Sequence, residues 1–247
     1  MDVLVVGAGE MGRWFASAVT SDVAFADADP PRAEAAADAL GSRGRAVPLD
    51  TTESFGVVCL AVPMRVASES IAEHAEKAQQ AVVDVTGSMR APLDAMADAA
   101  PARERVSFHP LFGADAAPGT VAVSTAASGP ATDGLRRDIA AAGNDLVDVA
   151  PEAHDDAMRT VQGRTHAAIL AFALAADASE ADVPDELATP VYERLDALAR
   201  RVLDGTPRVY ADIQAAFDGA RDVAAAAERL ADADPDEYDA LYDDVSR

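Results

Sequence analysis

The sequence predicts an α/β fold, in which a doubly wound, mainly parallel sheet is followed by an all-α domain. Up to about residue 150, short β-branched runs alternate with Ala-rich helical segments, and beyond Pro151 no convincing strand pattern returns. Such alternation is typical of a parallel sheet that helices cover on both faces. We therefore expect one domain over residues 1–150 and a second, helical domain over residues 151–247.

Seven runs in the first part have the apolar, β-branched character of buried strands, and five amphipathic segments fit between them. The strands are expected at 3–6, 23–27, 56–62, 81–85, 105–109, 121–125 and 145–149, and the helices at 10–20, 31–40, 65–78, 91–100 and 132–143. Pro31 and Pro92 lie near helix starts, and Gly41 and Gly143 follow helix ends, as helix capping favours.

The second part is predicted to be helical at about 151–178, 189–204, 207–233 and 235–245, with breaks at 181–190, 204–207 and 233–236. So few helices bury a small core on their own. We therefore expect the helical domain to pack against its own copy in a homodimer.

The charge of the chain limits its partners. It carries 43 acidic against 20 basic residues, a formal charge of −23, and Lys77 is its only lysine. Phosphate groups would be repelled, so we expect neither nucleic acid nor an anionic membrane surface as a partner. Acidic residues spread along the whole chain resemble the proteins of salt-loving organisms with a saline cytoplasm, in which the charge maintains solubility.

Cysteine and histidine usage excludes further classes of site. Cys59 is the only cysteine, so no internal disulfide can form, and its apolar run predicts a buried thiol. The four histidines lack metal-ligand spacing, so no metal site is expected, and His74 in a Glu-rich helix is expected at the surface. Without a basic leader or an apolar run of roughly 18 residues, the protein is expected in the cytoplasm.

The first predicted strand runs directly into a G-x-G-x-x-G pattern formed by Gly7, Gly9 and Gly12. Gly7 permits the tight turn, Gly9 lets the backbone approach a pyrophosphate, and Gly12 lets the helix pack closely on the strand. Glu10 and Met11 complete the loop at the start of the helix. In this strand-to-helix context the pattern predicts a Rossmann-type dinucleotide-binding domain.

Two further positions are expected to contact the cofactor. Asp27 ends the second strand, twenty positions after Gly7, where a carboxylate accepts hydrogen bonds from the adenosine ribose and repels a 2′-phosphate, which favours NAD over NADP. Asp29 is a less well placed candidate, or a helix cap. Val62 and Pro63 end the strand that is expected to cross under the cofactor.

Two motifs follow neighbouring strands, "DVTGSM" at 84–89 and "SFHPLFGAD" at 107–115. The carboxyl ends of adjacent parallel strands open onto the ligand crevice, so Ser88 and His109 are expected to meet beside the nicotinamide. Pro110 keeps His109 out of a helical conformation. Because an imidazole accepts a proton near neutral pH, activity is expected to rise with pH through an ordinary imidazole pKa.

Helical geometry adds candidates in the second domain. At about 100° per residue, Arg201 borders the apolar stripe beside Leu198 while Arg200 points away, so Arg201 is expected to face inward. Its guanidinium suits a substrate carboxylate, although an interface salt bridge is an alternative.

The helix from residue 151 has a polar stripe that includes Gln162 and His166 beside its apolar side. Such a stripe fits a helix lining a substrate cleft, and a solvated face would look similar. His154 falls on the apolar side, where a core or capping histidine is as plausible as a substrate contact.

Four stretches in order along the chain resemble the prephenate dehydrogenase family of tyrosine biosynthesis. "HPLFG" at 109–113 is similar to the H-P-M-F-G-P block of that family, and "DVTGSMR" at 84–90 is similar to its D-x-x-S-V-K block. The other two stretches, at 154–166 and 189–213, lie in the helical part. Ala114 replaces the proline of the first block, and Met89 and Arg90 replace Val-Lys in the second.

The resemblance implies a role for each candidate. His109 would accept a hydrogen bond from the ring hydroxyl, Ser88 would orient that hydroxyl and His109, and Arg201 would bind a substrate carboxylate. His166 corresponds to a further active-site histidine, and His154 begins an "HD" block. The implied activity is the NAD-dependent oxidative decarboxylation of prephenate to 4-hydroxyphenylpyruvate.

Other functions remain open. Arogenate differs from prephenate only by an amino group in place of a keto group. A β-hydroxyacid dehydrogenase or an imine reductase would usually place a catalytic lysine on its helical domain, but Lys77 lies in the first domain. A non-catalytic NAD sensor would need the glycines and Asp27, but not Ser88, His109 and Arg201 together. No amino-acid-sensing domain is recognisable, so any feedback by tyrosine is expected to act within these two domains.

Overall fold

A computed structural model describes residues 2–178 and 184–246, and it divides the chain into two compact units, Met1–Asp155 and Asp156–Arg247. The division falls inside the first helix after the sheet. His154 and Asp155 therefore belong to the unit that contains the sheet. Part of the predicted break at 181–190 lies outside the described residues.

The described part of the first unit contains one eight-stranded sheet, ordered β3-β2-β1-β4-β5-β6-β7-β8. Its strands are β1 Asp2–Val6, β2 Asp22–Ala26, β3 Gly44–Ala46, β4 Phe55–Leu60, β5 Ala78–Asp84, β6 Glu104–Pro110, β7 Thr120–Ala127 and β8 Asp145–Asp148. Neighbouring strands are parallel, except that β6 and β7 are antiparallel. The predicted Rossmann-type, mainly parallel sheet is confirmed.

Five helices cover the two faces of this sheet, at α1 Glu10–Ala18, α2 Pro30–Leu40, α3 Met64–His74, α4 Arg90–Ala99 and α5 Pro130–Ala141. Helices α1, α2 and α5 share one core cluster with alternate side chains of the strands, and α3 and α4 share the other. Strands buried on both faces explain why their sequences read as continuous apolar runs. Cys59 is fully buried in β4, as predicted.

Two features of the sheet differ from the simplest expectation. Strand β3 was not predicted, since its three residues carry no apolar pattern and pair only with the three central residues of β2. Strand β7 runs antiparallel because the loop between β6 and β7 is too short for the helical crossover that a parallel pair requires.

The expectation that His74 lies at the surface is wrong. Its side chain is 2% exposed at the end of α3, and its Nδ1 accepts a hydrogen bond from Lys77 Nζ at 2.6 Å. Burial lowers the pKa of His74. The only lysine of the chain therefore has a structural partner in the first unit.

All secondary-structure elements in the described part of the second unit are helices, as predicted. Its elements continue from α6 Pro151–Met158, which begins in the first unit, through a π-turn at Arg159–Arg164, α7 Thr165–Asp177, α8 Pro190–Leu203, α9 Pro207–Phe217, α10 Gly219–Asp232 and α11 Pro235–Val245. The predicted single helix at 207–233 is broken at Asp218, which has a φ of 47° and precedes Gly219. An Asp-Gly pair is a turn signal that the helical periodicity obscured.

The π-turn is held by a backbone-to-backbone contact with the start of α10. A Cβ added at Gly219 would overlap the carbonyl group of Gly163 and the amide nitrogen of Arg164. Gln214 links the same two segments, since its side chain donates to Gly163 O and accepts from Ala220 N, each at 2.8 Å. This contact requires glycine because the overlapping atoms belong to the backbone and cannot rotate away.

None of the helices within residues 2–178 and 184–246 combines the length and apolarity needed to cross a lipid bilayer.

Candidate functional site

The glycine-rich loop joins β1 to α1 in a conformation that its sequence dictates. Gly7 has a φ of 102°, and a Cβ added there would overlap the carbonyl oxygen of Ala61. A Cβ at Gly12 would overlap the carbonyl oxygen of Gly7. Both positions therefore exclude a side chain, and they bring the start of α1 against the ends of β1 and β4.

Gly9 is different, because a Cβ added there would meet nothing within 4 Å. It is the N-cap of α1, and no side chain caps the first turn. Glu10 is exposed and Met11 half-buried at this end of the helix. The open space and the unpaired N–H groups of a helix N-terminus together suit an anionic phosphate.

Asp27, directly after β2, is hydrogen-bonded to the same loop. Its Oδ2 accepts from Ala8 N at 2.7 Å and its Oδ1 accepts from Asp29 N at 2.9 Å. A carboxylate has about four acceptor sites, so each oxygen can take a further donor. Asp29 lies at the N-cap of α2 without a side-chain capping bond, and its carboxylate is 3.5 Å from Arg32 Nε.

The segment after β4 lies between those after β1 and β5. Ala61 N donates to Val6 O at 2.8 Å, and Val85 N donates to Leu60 O at 3.0 Å. Val62 is half-buried, with Cγ1 3.4 Å from the position of an added Gly7 Cβ, and Pro63 is exposed. These two residues therefore lie beside the glycine-rich loop at the carboxyl edge of the sheet.

His109 lies near the carboxyl end of β6, beside β5, and is 6% exposed. Its Nδ1 is 2.8 Å from Nε2 of His154, which is 2% exposed, and the two rings meet edge to face. His154 Nδ1 is in turn 2.8 Å from Asp155 Oδ1. The structure thus pairs His109 with His154 rather than with Ser88.

Asp155 was not singled out from the sequence, although it follows His154 in the "HD" block. Besides His154, its carboxylate accepts hydrogen bonds from Met89 N at 3.0 Å and from Arg90 N at 3.1 Å, at the start of α4. Burial alone would raise the pKa of Asp155, but the hydrogen bonds from His154, Met89 and Arg90 lower it overall. Asp155 is therefore ionised near neutral pH.

Burial, reinforced by the neighbouring His154, lowers the pKa of His109 to about 3. The charged imidazolium is disfavoured because it would lose most of its hydration. The expectation that His109 titrates at an ordinary imidazole pKa is therefore wrong for the free protein. His109 stays neutral at physiological pH.

The loop between β5 and α4 lies directly beside His109. A Cβ added at Gly87 would be 3.7 Å from His109 Nε2 and 2.9 Å from Met64 Sδ. The neighbouring Ser88 is half-buried, and its carbonyl oxygen accepts from Thr86 Oγ1 at 3.1 Å. The structure thus brings the Ser88 loop next to His109.

Asp84, the last residue of β5, is hydrogen-bonded to the loop that carries Ser88. Its Oδ1 accepts from the amide nitrogen of Thr86 at 2.9 Å and from its hydroxyl at 2.6 Å, and burial raises the pKa of Asp84 to about 6. The hydroxyl of Ser107, its cross-strand neighbour, and the hydrogen bonds from Thr86 partly offset this rise in pKa.

On the other side of His109, the "HPLFG" segment is anchored on α1. The ring of Phe112 meets Trp14 edge to face, with centroids 5.5 Å apart. This contact links the histidine-bearing loop to the helix that begins at the glycine-rich loop.

The remaining candidates lie in the second unit. Both Arg200 and Arg201 are exposed, so the expectation that Arg201 faces inward is wrong, and Ala199 and Val202 are the buried neighbours. Arg200 binds Asp196 on its own helix at 2.7 Å. In the described part of the chain no ion pair involves Arg201, so its guanidinium remains available to an anionic ligand.

His166 lies one turn beyond Gln162, which the π-turn contains. The His166 ring meets Tyr210 edge to face with centroids 5.0 Å apart, and its Nδ1 is buried without a hydrogen-bond partner among the described residues. Burial lowers the pKa of His166. Tyr210 also packs against the apolar cluster of this unit, formed by Ile169, Ala199 and Val202.

Residues 2–178 and 184–246 contain no group of three or more histidine, cysteine, aspartate or glutamate side chains placed to hold a metal ion.

Comparison with known families gives a consistent result. The family model for the nucleotide-binding domain of prephenate dehydrogenase matches residues 16–126. A 4-amino-4-deoxyprephenate dehydrogenase of Streptomyces pristinaespiralis is 34% identical over 234 residues, which cover 88% of this chain and 78% of that protein. A probable arogenate/prephenate dehydrogenase of Methanocaldococcus jannaschii is 24% identical, over 85% of this chain and 50% of its own length.

Solved structures share the fold. Prephenate dehydrogenase of Aquifex aeolicus, in complex with hydroxyphenyl propionate and NAD+, superposes with a TM-score of 0.68 at 19% identity, covering 92% of this chain and 87% of that one. Arogenate dehydrogenase of Synechocystis superposes with a TM-score of 0.61 at 16% identity, covering 100% and 98%.

The two glycines of the loop are expected to respond differently to alanine. Gly7→Ala should lower the free energy of unfolding by about 1–3 kcal/mol or more, because φ at this position is positive and the added Cβ would overlap the backbone of Ala61. Gly9→Ala should change stability by less than about 0.5 kcal/mol. It should instead weaken dinucleotide binding about tenfold or more, because its methyl group would occupy the open space before α1.

Urea denaturation and fluorescence titration with a reduced nicotinamide dinucleotide measure the two effects. If Gly9→Ala bound the dinucleotide as tightly as the unaltered protein, the loop would not be the phosphate site.

Proposed function

Since the chain belongs to the prephenate dehydrogenase family, we propose that it catalyses the NAD-dependent oxidative decarboxylation of prephenate to 4-hydroxyphenylpyruvate. The observation that supports this most directly is His109, a buried and neutral imidazole at the carboxyl edge of the sheet, beside the loop that carries Ser88. A neutral imidazole in this position suits the acceptance of a hydrogen bond from a substrate hydroxyl.

The glycine-rich loop fits a dinucleotide. The open space at Gly9, the uncapped start of α1 and the remaining acceptor sites of Asp27 match pyrophosphate and ribose respectively. A carboxylate at Asp27 favours NAD over NADP because it repels a 2′-phosphate. We assign Gly7, Glu10, Met11, Gly12, Val62 and Pro63 to the walls of the same cofactor site. When bound, NAD accepts the hydride that leaves the substrate.

In the proposed reaction, the ring carbon that bears the hydroxyl loses its hydrogen as hydride. The bond between the ring and its carboxylate then breaks, carbon dioxide leaves, and the electron pair of that bond completes the aromatic ring. His109 accepts the hydroxyl hydrogen bond while carbonyl character develops, and the proton stays with the phenol of the product. Ser88 orients the hydroxyl. Aromatisation supplies the driving force, so the protein contributes mainly orientation and electrostatic support.

We propose that Arg201, His166 and Gln162 of the second unit bind the rest of the substrate. The expected substrate contact of His154 is not part of this proposal, because its two ring nitrogens already lie within hydrogen-bond distance of His109 and Asp155. Arg201 is suited to a carboxylate because a guanidinium donates two parallel hydrogen bonds. The unpartnered Nδ1 of His166 is a polar atom that a ligand can satisfy.

The substrate has two variable positions, and relatives of this chain differ at both. Arogenate carries an amino group where prephenate has the side-chain keto group. The Streptomyces relative is named for a substrate with an amino group on the ring, and it favours 4-amino-4-deoxyprephenate as a second candidate. An acceptor at His109 fits either an O–H or an N–H on the ring, so the imidazole alone does not choose between them.

The wider setting is also proposed. Leu174, Leu187, Val191 and Val245 of the second unit are between 72% and 82% exposed, which supports a homodimer that covers them. The charge of −23 supports function in concentrated salt, and we propose a cytoplasmic location.

The function is tested by mixing the purified protein with NAD and each of prephenate, arogenate and 4-amino-4-deoxyprephenate. We expect reduced nicotinamide to form with prephenate, together with one equivalent of carbon dioxide, and a kcat/KM higher than with the other two. Reduction of NAD with arogenate or the ring amine alone would reassign the substrate. NAD binding without turnover of any of them would indicate a sensor.

His109→Asn should lower kcat by roughly 10²–10⁴-fold with little change in KM, because the imidazole acts mainly in the transition state. In the unaltered enzyme, kcat/KM should show no limb from His109 between about pH 5 and 8, because the folded-state pKa lies near 3 and the neutral form persists above it. A limb near the ordinary imidazole pKa that disappears in His109→Asn would contradict this assignment.

Arg201→Ala should raise KM for prephenate by about 10–100-fold, the loss expected for a hydrogen-bonded charge pair, with a smaller effect on kcat. Arg200→Ala is the matched control, because Arg200 is exposed on the same helix and already binds Asp196. Equal effects of the two substitutions on KM would mean that general charge, and not a specific contact, attracts the substrate.

A further inference from the structure

Three side chains of the first unit form a hydrogen-bonded series that ends at the proposed catalytic residue, His109. Asp155 Oδ1 is 2.8 Å from His154 Nδ1, and His154 Nε2 is 2.8 Å from His109 Nδ1. Both histidines are almost completely buried. Each hydrogen bond holds one proton, so the position of the first proton constrains the second.

Asp155 determines where the first proton lies. Its carboxylate already accepts from two backbone N–H groups, those of Met89 and Arg90, which can only donate. An ionised carboxylate has no proton to give, so the hydrogen bond to His154 must be donated by His154 Nδ1. With Nδ1 protonated, a neutral His154 presents a lone pair at Nε2.

The second proton follows from the first. Since Nε2 of His154 accepts, the hydrogen bond between the histidines is donated by His109 Nδ1. The proton of a neutral His109 is then on Nδ1, and its Nε2 carries a lone pair. That nitrogen faces the loop that carries Ser88, since it lies 3.7 Å from the position of a Gly87 Cβ.

We infer that Asp155 is a positioning residue that acts through His154 to keep the proton of His109 on Nδ1, which makes Nε2 the acceptor for the substrate. The catalytic consequence rests on the proposed function, whereas the position of the proton does not. In the competing arrangement His154 carries two protons, His109 is protonated on Nε2, and that nitrogen faces the substrate hydroxyl as a donor. In the proposed arrangement a neutral His154 supplies one proton and one lone pair to the two hydrogen bonds, and His109 supplies the other proton.

The tautomers can be measured directly in the free protein. The chain has four histidines, so two-dimensional proton–nitrogen NMR of isotope-labelled imidazoles at neutral pH resolves each ring, and single substitutions assign them. We expect His109 and His154 both to be protonated on Nδ1 and to have a lone pair on Nε2. A proton on His109 Nε2 would overturn the proposal, whether or not the protein oxidises prephenate.

Substitutions of Asp155 test the cause. Asp155→Ala should shift His109 to a mixture of tautomers and lower kcat by about 10²-fold, with KM changed by less than about threefold. Asp155→Asn should restore the tautomer and most of the kcat, because its single oxygen can accept from both Met89 N and His154 Nδ1 at the Oδ1 position. If both variants lost kcat equally and kept the original tautomer, Asp155 would have only a structural role.

Asp155→Ala also removes the hydrogen bonds that Asp155 accepts at the start of α4, and Glu104→Ala is the matched control for that loss. The Glu104 carboxylate accepts from the amide nitrogens of Ala131 and Thr132 at the start of α5, as that of Asp155 does at the start of α4, but it contacts no histidine. Glu104→Ala should lower Tm by a few degrees and leave kcat and the histidine spectrum unchanged. A fall in kcat as large as that of Asp155→Ala would attribute the effect to helix capping and overturn the proposal.

Discussion

The parallel pairing of β5 with β6 is the constraint on which the first unit's candidate site depends. Because the two strands are neighbours and run in the same direction, the segments that follow them leave the sheet at the same edge. This places the loop after Asp84 against His109, although the two are far apart in sequence. The pairing of β1 with β4 has the same effect for the glycine-rich loop and Ala61.

Burial gives this edge its chemical character. A histidine in water would be partly charged near its ordinary pKa, whereas His109 among apolar strands is held neutral. In the same poorly hydrated site, the loss of a hydrogen bond costs more free energy than at the surface. The polar group that loses its partner cannot bind water instead. Asp155 shows how one carboxylate can satisfy three donors from two segments of the chain.

Much of the fold was predictable from local pattern, since all seven predicted strands exist and the glycines lie where their motif requires. The misses have physical causes. Strand β3 has no apolar signal, and Asp218 disrupts a helix whose periodicity continues on both sides. His74 and Arg201 were misplaced because helical periodicity does not reveal what packs against each face. Asp155 was missed because its partners, Met89 and Arg90, lie far away in the sequence.

The π-turn at Arg159–Arg164 has an evolutionary consequence. A π-turn contains one residue more per turn than an α-helix, so it is equivalent to a single-residue insertion that the helix has absorbed. Everything beyond it, including His166, is rotated by about 100° relative to an uninterrupted helix. The backbones of Gly163 and Gly219 are in contact, so the π-turn can keep its position only while residue 219 is a glycine. A lineage that lost the extra residue would therefore turn His166 to a different face of its helix while keeping almost every other residue of the chain.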